Sequence, residues 1–240
     1  MVTKTLPEIK GFQETTLIDW DGKIASIIFL GGCNFRCGFC HSSSLVTHPE
    51  KLESVSFNDI ASFLGSKRGW VDGVVITGGE PTLCKERLIN LINEIKEFSL
   101  LVKLDTNGTC PDILKKLIGD KLVEYIALDI KAPLRADIYS KVAGIDIDID
   151  KIIASKDLII NSGIDYEIRT TVVPTLIGAD EVVDIAKSIH PAKKYCIQQF
   201  VPRDTIDPFF LSTKPYSVTE LEKMAQAASK YLPKVHLRRN

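Results

Sequence analysis

Three cysteines, Cys33, Cys37 and Cys40, fall within eight residues at the spacing C-x-x-x-C-x-x-C. Thiolates that close together suit a soft metal or an iron–sulfur cluster far better than they suit packing. With only three of them, a four-iron cluster keeps one iron without a protein ligand, and that open corner is where chemistry would occur. A structural zinc site is the other reading of the same spacing. It needs a fourth ligand, and the adjacent His41 offers one. Cys84, Cys110 and Cys196 stand alone in the sequence, and isolated cysteines usually serve as small buried hydrophobes.

The other residues able to do chemistry come in short clusters: Gly78-Gly79-Glu80-Pro81, Asp105-Thr106-Asn107-Gly108, Asp129-Ile130-Lys131, Arg169-Thr170-Thr171 and Gln198-Gln199. Taken singly, each has a plain structural reading. Two glycines after a strand are often only a turn, and Asp-Thr-Asn-Gly is a common turn composition. Asp129 and Lys131 can form a surface ion pair worth little, and Arg169 can be a structural guanidinium. Their placement is what connects them, because each lies at the end of an apolar run of strand length.

Those runs set the framework. Residues 1–22 read as an extended lead-in ending at the turn Asp21-Gly22. Apolar, β-branched segments at 24–30, 73–77, 100–104, 123–128, 164–171 and 195–200 predict strands buried on both faces. Between them lie helical stripes, such as Leu88, Leu91, Ile92 and Ile95, and capping signals at Ser56 with Asp59 and at Ser217 with Glu220. Pro111 suits the first turn of a helix ending near Gly119, and further helices are expected at 148–161 and 180–189. Six β-α alternations with short connections predict a parallel sheet covered by helices. The expected fold is α/β, an incomplete (β/α)6 TIM-like barrel with N- and C-terminal extensions; a doubly wound open sheet is the alternative. In either fold the carboxyl ends of the strands form one surface, the edge where active sites are built. The clusters follow that edge.

Composition narrows the class. The 240 residues, 45% hydrophobic and 25% charged with a formal net charge of -1, describe a globular protein with no electrostatic case for nucleic acid or an anionic membrane. No apolar run reads as a leader or a membrane span, so the expected location is cytoplasmic, where thiols stay reduced.

With these motifs assembled, the chain resembles the radical S-adenosylmethionine (SAM) superfamily: C-x-x-x-C-x-aromatic-C at 33–40 with Phe39 as the aromatic, then Gly78-Gly79-Glu80-Pro81. Within it the chain is similar to the glycyl-radical-enzyme activating proteins, above all those acting on anaerobic ribonucleoside-triphosphate reductase. The opening G-F-Q-x-T-x-L-I-D (residues 11–19), L-D-T-N-G (104–108), D-I-K (129–131), R-T-T (169–171) and Q-Q-F (198–200) carry this closer likeness. Two positions depart from it: Ser42 stands where relatives commonly have asparagine, and Gln198-Gln199 where some have histidine.

The resemblance implies a single radical SAM domain over 1–240, with a core at about 20–205 and a C-terminal helical extension at about 206–240. Cys33, Cys37 and Cys40 would hold a 4Fe–4S cluster whose fourth iron is chelated by S-adenosylmethionine. Gly78, Gly79 and Glu80 would belong to the cofactor site, with Glu80, on the turn the glycines permit, accepting from the cofactor's ammonium group. Asp105, Asn107, Asp129 and Lys131 would surround its other polar groups, with Arg169 near the carboxylate or ribose and Phe39 near the adenine. A monovalent cation at Asp105, Thr106 and Asp129 is also implied. An electron from a flavodoxin- or ferredoxin-type donor would release a 5′-deoxyadenosyl radical, which removes hydrogen from a glycine of the partner glycyl radical enzyme. The rival readings are action on a pyruvate formate-lyase-like partner, action on a small molecule, and a non-catalytic zinc or iron–sulfur module. No cysteine lies between His41 and Asp72, so the extra ferredoxin-like cluster domain of some activators is not expected there.

Overall fold

The computed structural model describes residues 5–239. Its strands are β1 Ile9–Thr16, β2 Ala25–Leu30, β3 Gly73–Gly78, β4 Leu101–Thr106, β5 Tyr125–Asp129, β6 Asp165–Val172, β7 Tyr195–Gln199 and β8 Val235–Arg238. The helices are α1 Ser43–Thr47, α2 Phe57–Ser66, α3 Glu86–Lys96, α4 Pro111–Gly119, α5 Ala136–Ala143, α6 Ile149–Asn161, α7 Ala179–Ser188 and α8 Val218–Ala228. The strands run in sequential order from β1 to β8 in the sheet. A doubly wound sheet requires a reversal of strand order, so the sequential order decides for the incomplete α/β barrel.

The chain divides into two compact units. One takes in the chain up to Asn34 together with Ser44–Thr106 and Asp112–Ile126. The other comprises Phe35–Ser43, Asn107–Pro111 and the chain from Ala127 onward.

In the first unit β2, β3 and β4 are parallel, with Leu30 opposite Gly78 and Ile76 opposite Leu104. This register ends the three strands at one level. Four consecutive residues of β3, Gly73 to Ile76, are buried, as expected for a strand covered on both faces. Trp20, Ala25, Ile27 and Val75 form a core cluster against Phe29, Leu101 and Tyr125. Each such side chain contributes about 1.5–3 kcal/mol on burial. Beneath Asp105, the buried Lys103 ammonium donates to the Asp19 carbonyl and lies over the Tyr125 ring. The lead-in is a true strand: β1 runs antiparallel to β2.

In the second unit β6, β7 and β8 are parallel, with Thr171 opposite Gln198 and Gln198 opposite Arg238. The C-terminal extension was expected to be helical. It contains α8, opened by the reciprocal Ser217–Glu220 capping box, and then β8, which adds to the sheet. Among the described residues, no helix is long and apolar enough to cross a membrane.

Candidate active site

The first unit supplies Cys33 and the Gly-Gly-Glu loop, and it fastens one to the other through backbone. Gly79 N–H donates to the Leu30 carbonyl at 2.9 Å and Glu80 N–H to the Gly32 carbonyl at 2.8 Å. Contact this close leaves no room for a side chain: a Cβ on Gly79 would lie 1.9 Å from the Gly32 oxygen. Gly78 has φ of 116° and meets the backbone of Leu30 in the same way, so both glycines are fixed by sterics. The loop before the first cysteine is thereby set against the loop that carries Glu80.

Glu80 is 2% exposed. Its Oε1 accepts from Thr82 N–H at 3.0 Å, from the Thr82 hydroxyl at 2.5 Å and from the Thr106 hydroxyl at 2.8 Å. A buried carboxylate is tolerated only with such donors. Thr106 ends β4, so the strand register delivers the donor that holds the Glu80 carboxylate in place. Asp105, half-buried, lies 3.8 Å from the Lys103 ammonium.

The second unit supplies Cys37, Phe39 and Cys40. Cys37 and Phe39 are buried, Cys40 partly so, and none of the three cluster-motif cysteines is in a disulfide. Phe35 packs edge-to-face on Tyr139 of α5 at 6.3 Å, and Arg36 N–H donates to the Ala143 carbonyl at 2.8 Å. The fully buried Tyr139 also ties this loop to the end of β5: its hydroxyl accepts from Lys131 N–H at 3.2 Å and donates to the Asp129 carbonyl at 3.4 Å. Burial pushes the phenol well above its ordinary pKa, so it stays a neutral donor.

Asp129 lies between two cations. Arg169 Nε meets Oδ1 at 2.8 Å and Lys131 Nζ meets Oδ2 at 3.1 Å. Burial alone would raise the carboxyl pKa, but the guanidinium and the ammonium outweigh it and hold the group well below the usual carboxylate range. For Lys131, burial works downward; Asp129 first and Cys37 next overcome it, and the ammonium is held above its ordinary value. With side chains only 25% and 12% exposed, Asp129 and Arg169 are no loose surface pair. Arg169 also approaches the buried Glu167 at 4.0 Å, and Glu167 takes a two-pronged contact from Arg238 of β8.

Asn107 is buried, and its Oδ1 closes a turn by accepting from Thr109 N–H and hydroxyl at 3.0 and 2.7 Å. Cys196 is buried as a small hydrophobe, whereas Cys84 and Cys110 are only half-buried. Tyr139 and Arg238 were missed from the sequence. The signal for α5 was present in Tyr139, Val142 and Ala143 at helical spacing before Gly144, which caps the helix at φ of 72°.

The Radical SAM superfamily model matches residues 27–189. The chain belongs to the radical SAM superfamily. A candidate glycyl-radical enzyme activating enzyme of Methanocaldococcus jannaschii is 35% identical over 96% of this chain and 95% of its own length. That match puts the chain in the activating branch of the superfamily. A pyruvate formate-lyase-activating enzyme of Clostridium pasteurianum is 26% identical over 94% of this chain and 95% of its own. Among solved structures, a radical SAM methyltransferase from Sphaerobacter thermophilus superposes with a TM-score of 0.72 at 13% identity, covering 94% of this chain and 69% of that one. The chain spans 48% of the length of Streptococcus suis SuiB, which superposes at 0.66 with 17% identity over 88% of this chain. At these identities the structures speak for the fold.

The radical SAM family uses a 4Fe–4S cluster and S-adenosylmethionine. Three cysteines at C-x-x-x-C-x-x-C, none of them in a disulfide, fit a cluster by donor chemistry. Among the described residues no three His, Cys, Asp or Glu side chains are gathered as a metal site, so the case rests on thiol chemistry and spacing. The monovalent cation fits less well. Both Asp129 oxygens are already engaged by Arg169 and Lys131, so a further cation there would have to displace one of them.

Proposed function

We propose that this radical SAM enzyme installs a glycyl radical on anaerobic ribonucleoside-triphosphate reductase, with a flavodoxin- or ferredoxin-type protein as electron donor. The observation that carries the reading is the end-to-end similarity to a glycyl-radical enzyme activating relative in a chain bearing the three-cysteine loop. The G-F-Q-x-T-x-L-I-D segment, now partly in β1, and L-D-T-N-G at the end of β4 support the reductase as partner. Residues 1–240 act in this reading as one domain with its core at about 20–205, which the family match over 27–189 supports.

Cluster and cofactor, when bound, supply one-electron chemistry that ends in hydrogen-atom removal from a glycine Cα. The chain's own residues hold and orient. Cys33, Cys37 and Cys40 would ligate the cluster. The Glu80 carboxylate, fixed by Thr82 and Thr106, would accept from the cofactor's ammonium group. Arg169 and Lys131, already aligned by Asp129, would face its carboxylate or ribose, Asp105 and Asn107 its other polar groups, and Phe39 the adenine side.

The test pairs the reduced holoenzyme and S-adenosylmethionine with the anaerobic reductase and records electron paramagnetic resonance. A glycyl doublet that is absent with Cys37→Ala is expected. Deoxyadenosine formed with a small substrate and no protein partner would overturn the reading, as would one equivalent of zinc without iron–sulfur absorbance.

A further inference from the structure

The cluster loop has a second neighbour besides α5, contributed by a distant part of the chain. Residues 204–213 form a strap fastened to that loop at three points. The Ser43 hydroxyl donates to Asp204 Oδ1 at 2.9 Å. Asp207 N–H donates to the Gly38 carbonyl at 2.8 Å. Phe210 meets Phe39 edge-to-face, with ring centroids 6.1 Å apart and planes at 78°. The strap is also internally rigid. The Thr205 hydroxyl donates to the Asp207 carbonyl, and Asp207 Oδ1 accepts from Phe209 N–H to cap the short 3-10 turn Pro208–Ser212.

Gly38, between two of the three cysteines, is shaped to this strap. A Cβ there would lie 2.8 Å from the edge of the Phe210 ring and 3.1 Å from the Asp207 Cβ. Phe210 is only 7% exposed because Phe39, Phe200 and Phe209 surround it with edge-to-face contacts. Phe209 itself is 56% exposed. The ring pressed on the loop is therefore Phe210, and the ring facing solvent is its neighbour.

We propose that Phe210 is a positioning residue for the 37–40 loop, and that the strap is a fixed cover keeping water and dioxygen from the sulfur atoms of Cys37 and Cys40. This rests on the cluster reading above. An apolar shell around a metal site controls solvent access and, with it, redox potential. On the 37–40 loop Gly38 has no side chain of its own, and Phe210 and Asp207 of the strap fill the space beside it.

The experiment reconstitutes wild type, Phe210→Ala, Phe210→Leu and Phe209→Ala anaerobically without added S-adenosylmethionine. Iron and sulfide are counted, the cluster midpoint potential is measured, and bleaching of the iron–sulfur absorbance is followed after a fixed dose of dioxygen. Phe210→Ala is expected to bleach about tenfold faster and to show a more positive potential. Phe210→Leu should restore both, and Phe209→Ala should match wild type. If the alanine variant does not fold, Phe210→Val and Phe210→Leu carry the same test, with Phe210→Val expected to bleach faster than Phe210→Leu and Phe210→Leu to stay near wild type. Wild-type bleaching and potential in a fully loaded Phe210→Ala protein would overturn the cover. A wild-type protein that takes up zinc and no cluster would instead overturn the function proposed above.

Discussion

Removing the Arg169 guanidinium tests the electrostatic core of the site most directly. In Arg169→Met, Asp129 keeps Lys131 at 3.1 Å but loses the 2.8 Å contact to Nε. Deleting one partner of a buried ion pair costs about 3–5 kcal/mol when nothing replaces it. Here Lys131 remains and the carboxylate is 25% exposed, so about 2 kcal/mol of coupling at neutral pH is expected from the Asp129→Asn/Arg169→Met double-mutant cycle. The sign of the pH dependence follows from the depressed carboxyl pKa. Asp129 contributes its stability above the unfolded value of about 3.9 and loses it as pH falls toward the folded value. Between pH 5 and pH 3 the unfolded chain takes up a proton that the folded chain refuses, which removes about 1.2 kcal/mol. In Arg169→Met the folded carboxyl lies closer to its ordinary value but Lys131 still holds it down, so slightly less is lost and the coupling energy should shrink by about 0.2 kcal/mol over that interval. Urea unfolding of the four apo-proteins at both pH values measures it. A coupling below about 0.5 kcal/mol at neutral pH, or one that grows on acidification, would refute the ion-pair argument.

Other expectations follow from single contacts. Thr106→Val removes a donor from the buried Glu80 oxygen and should cost about 1–2 kcal/mol in apo stability, read by denaturant unfolding, while weakening S-adenosylmethionine binding in titration. Gly79→Ala drives a methyl into the Gly32 carbonyl and should cost more than about 3 kcal/mol, with loss of iron on reconstitution; a stable, fully loaded variant would contradict the close approach. Tyr139→Phe keeps the packing on Phe35 but drops the hydroxyl bridge, so a loss of about 1 kcal/mol is expected, and the phenolate absorbance of wild-type Tyr139 should be missing from titrations at pH values where exposed tyrosines ionise. Arg238→Ala leaves the Glu167 carboxylate short of its two-pronged partner and should destabilise by about 2 kcal/mol by thermal melting, without changing iron content.

The sequence exposed the parts of the site whose residue types are unusual. Cysteine spacing, glycines after a buried strand and acidic strand ends stand out in one dimension because the chemistry needs them in order. The supports around them do not. α5 spans eight residues, and its apolar face is little more than Tyr139, Val142 and Ala143, too short for a periodic pattern to be distinctive. β8 is four half-buried residues reading V-H-L-R, too short for the alternation of Val235 and Leu237 to mark it as sheet. Arg238 therefore could not be linked to Glu167, a partner 71 residues away in the chain. Asp129 and Lys131 were visible as a pair, but the second cation on Asp129 comes from β6, and only folding brings Arg169 to it. Long-range partners are set by topology, which local pattern does not carry.

The contact of Gly79 with Gly32 bears on how this protein can change over time. Because the Cys33 and Glu80 loops are joined by main-chain atoms, their spacing does not depend on which side chains surround them. Neighbouring positions are thus at liberty to drift, retuning affinity or partner choice, while thiol and carboxylate keep their separation. Gly78 and Gly79 hold no such liberty, and neither tolerates replacement unless the opposing backbone withdraws. A lineage could remodel nearly everything else at this edge of the first unit and inherit the same ruler.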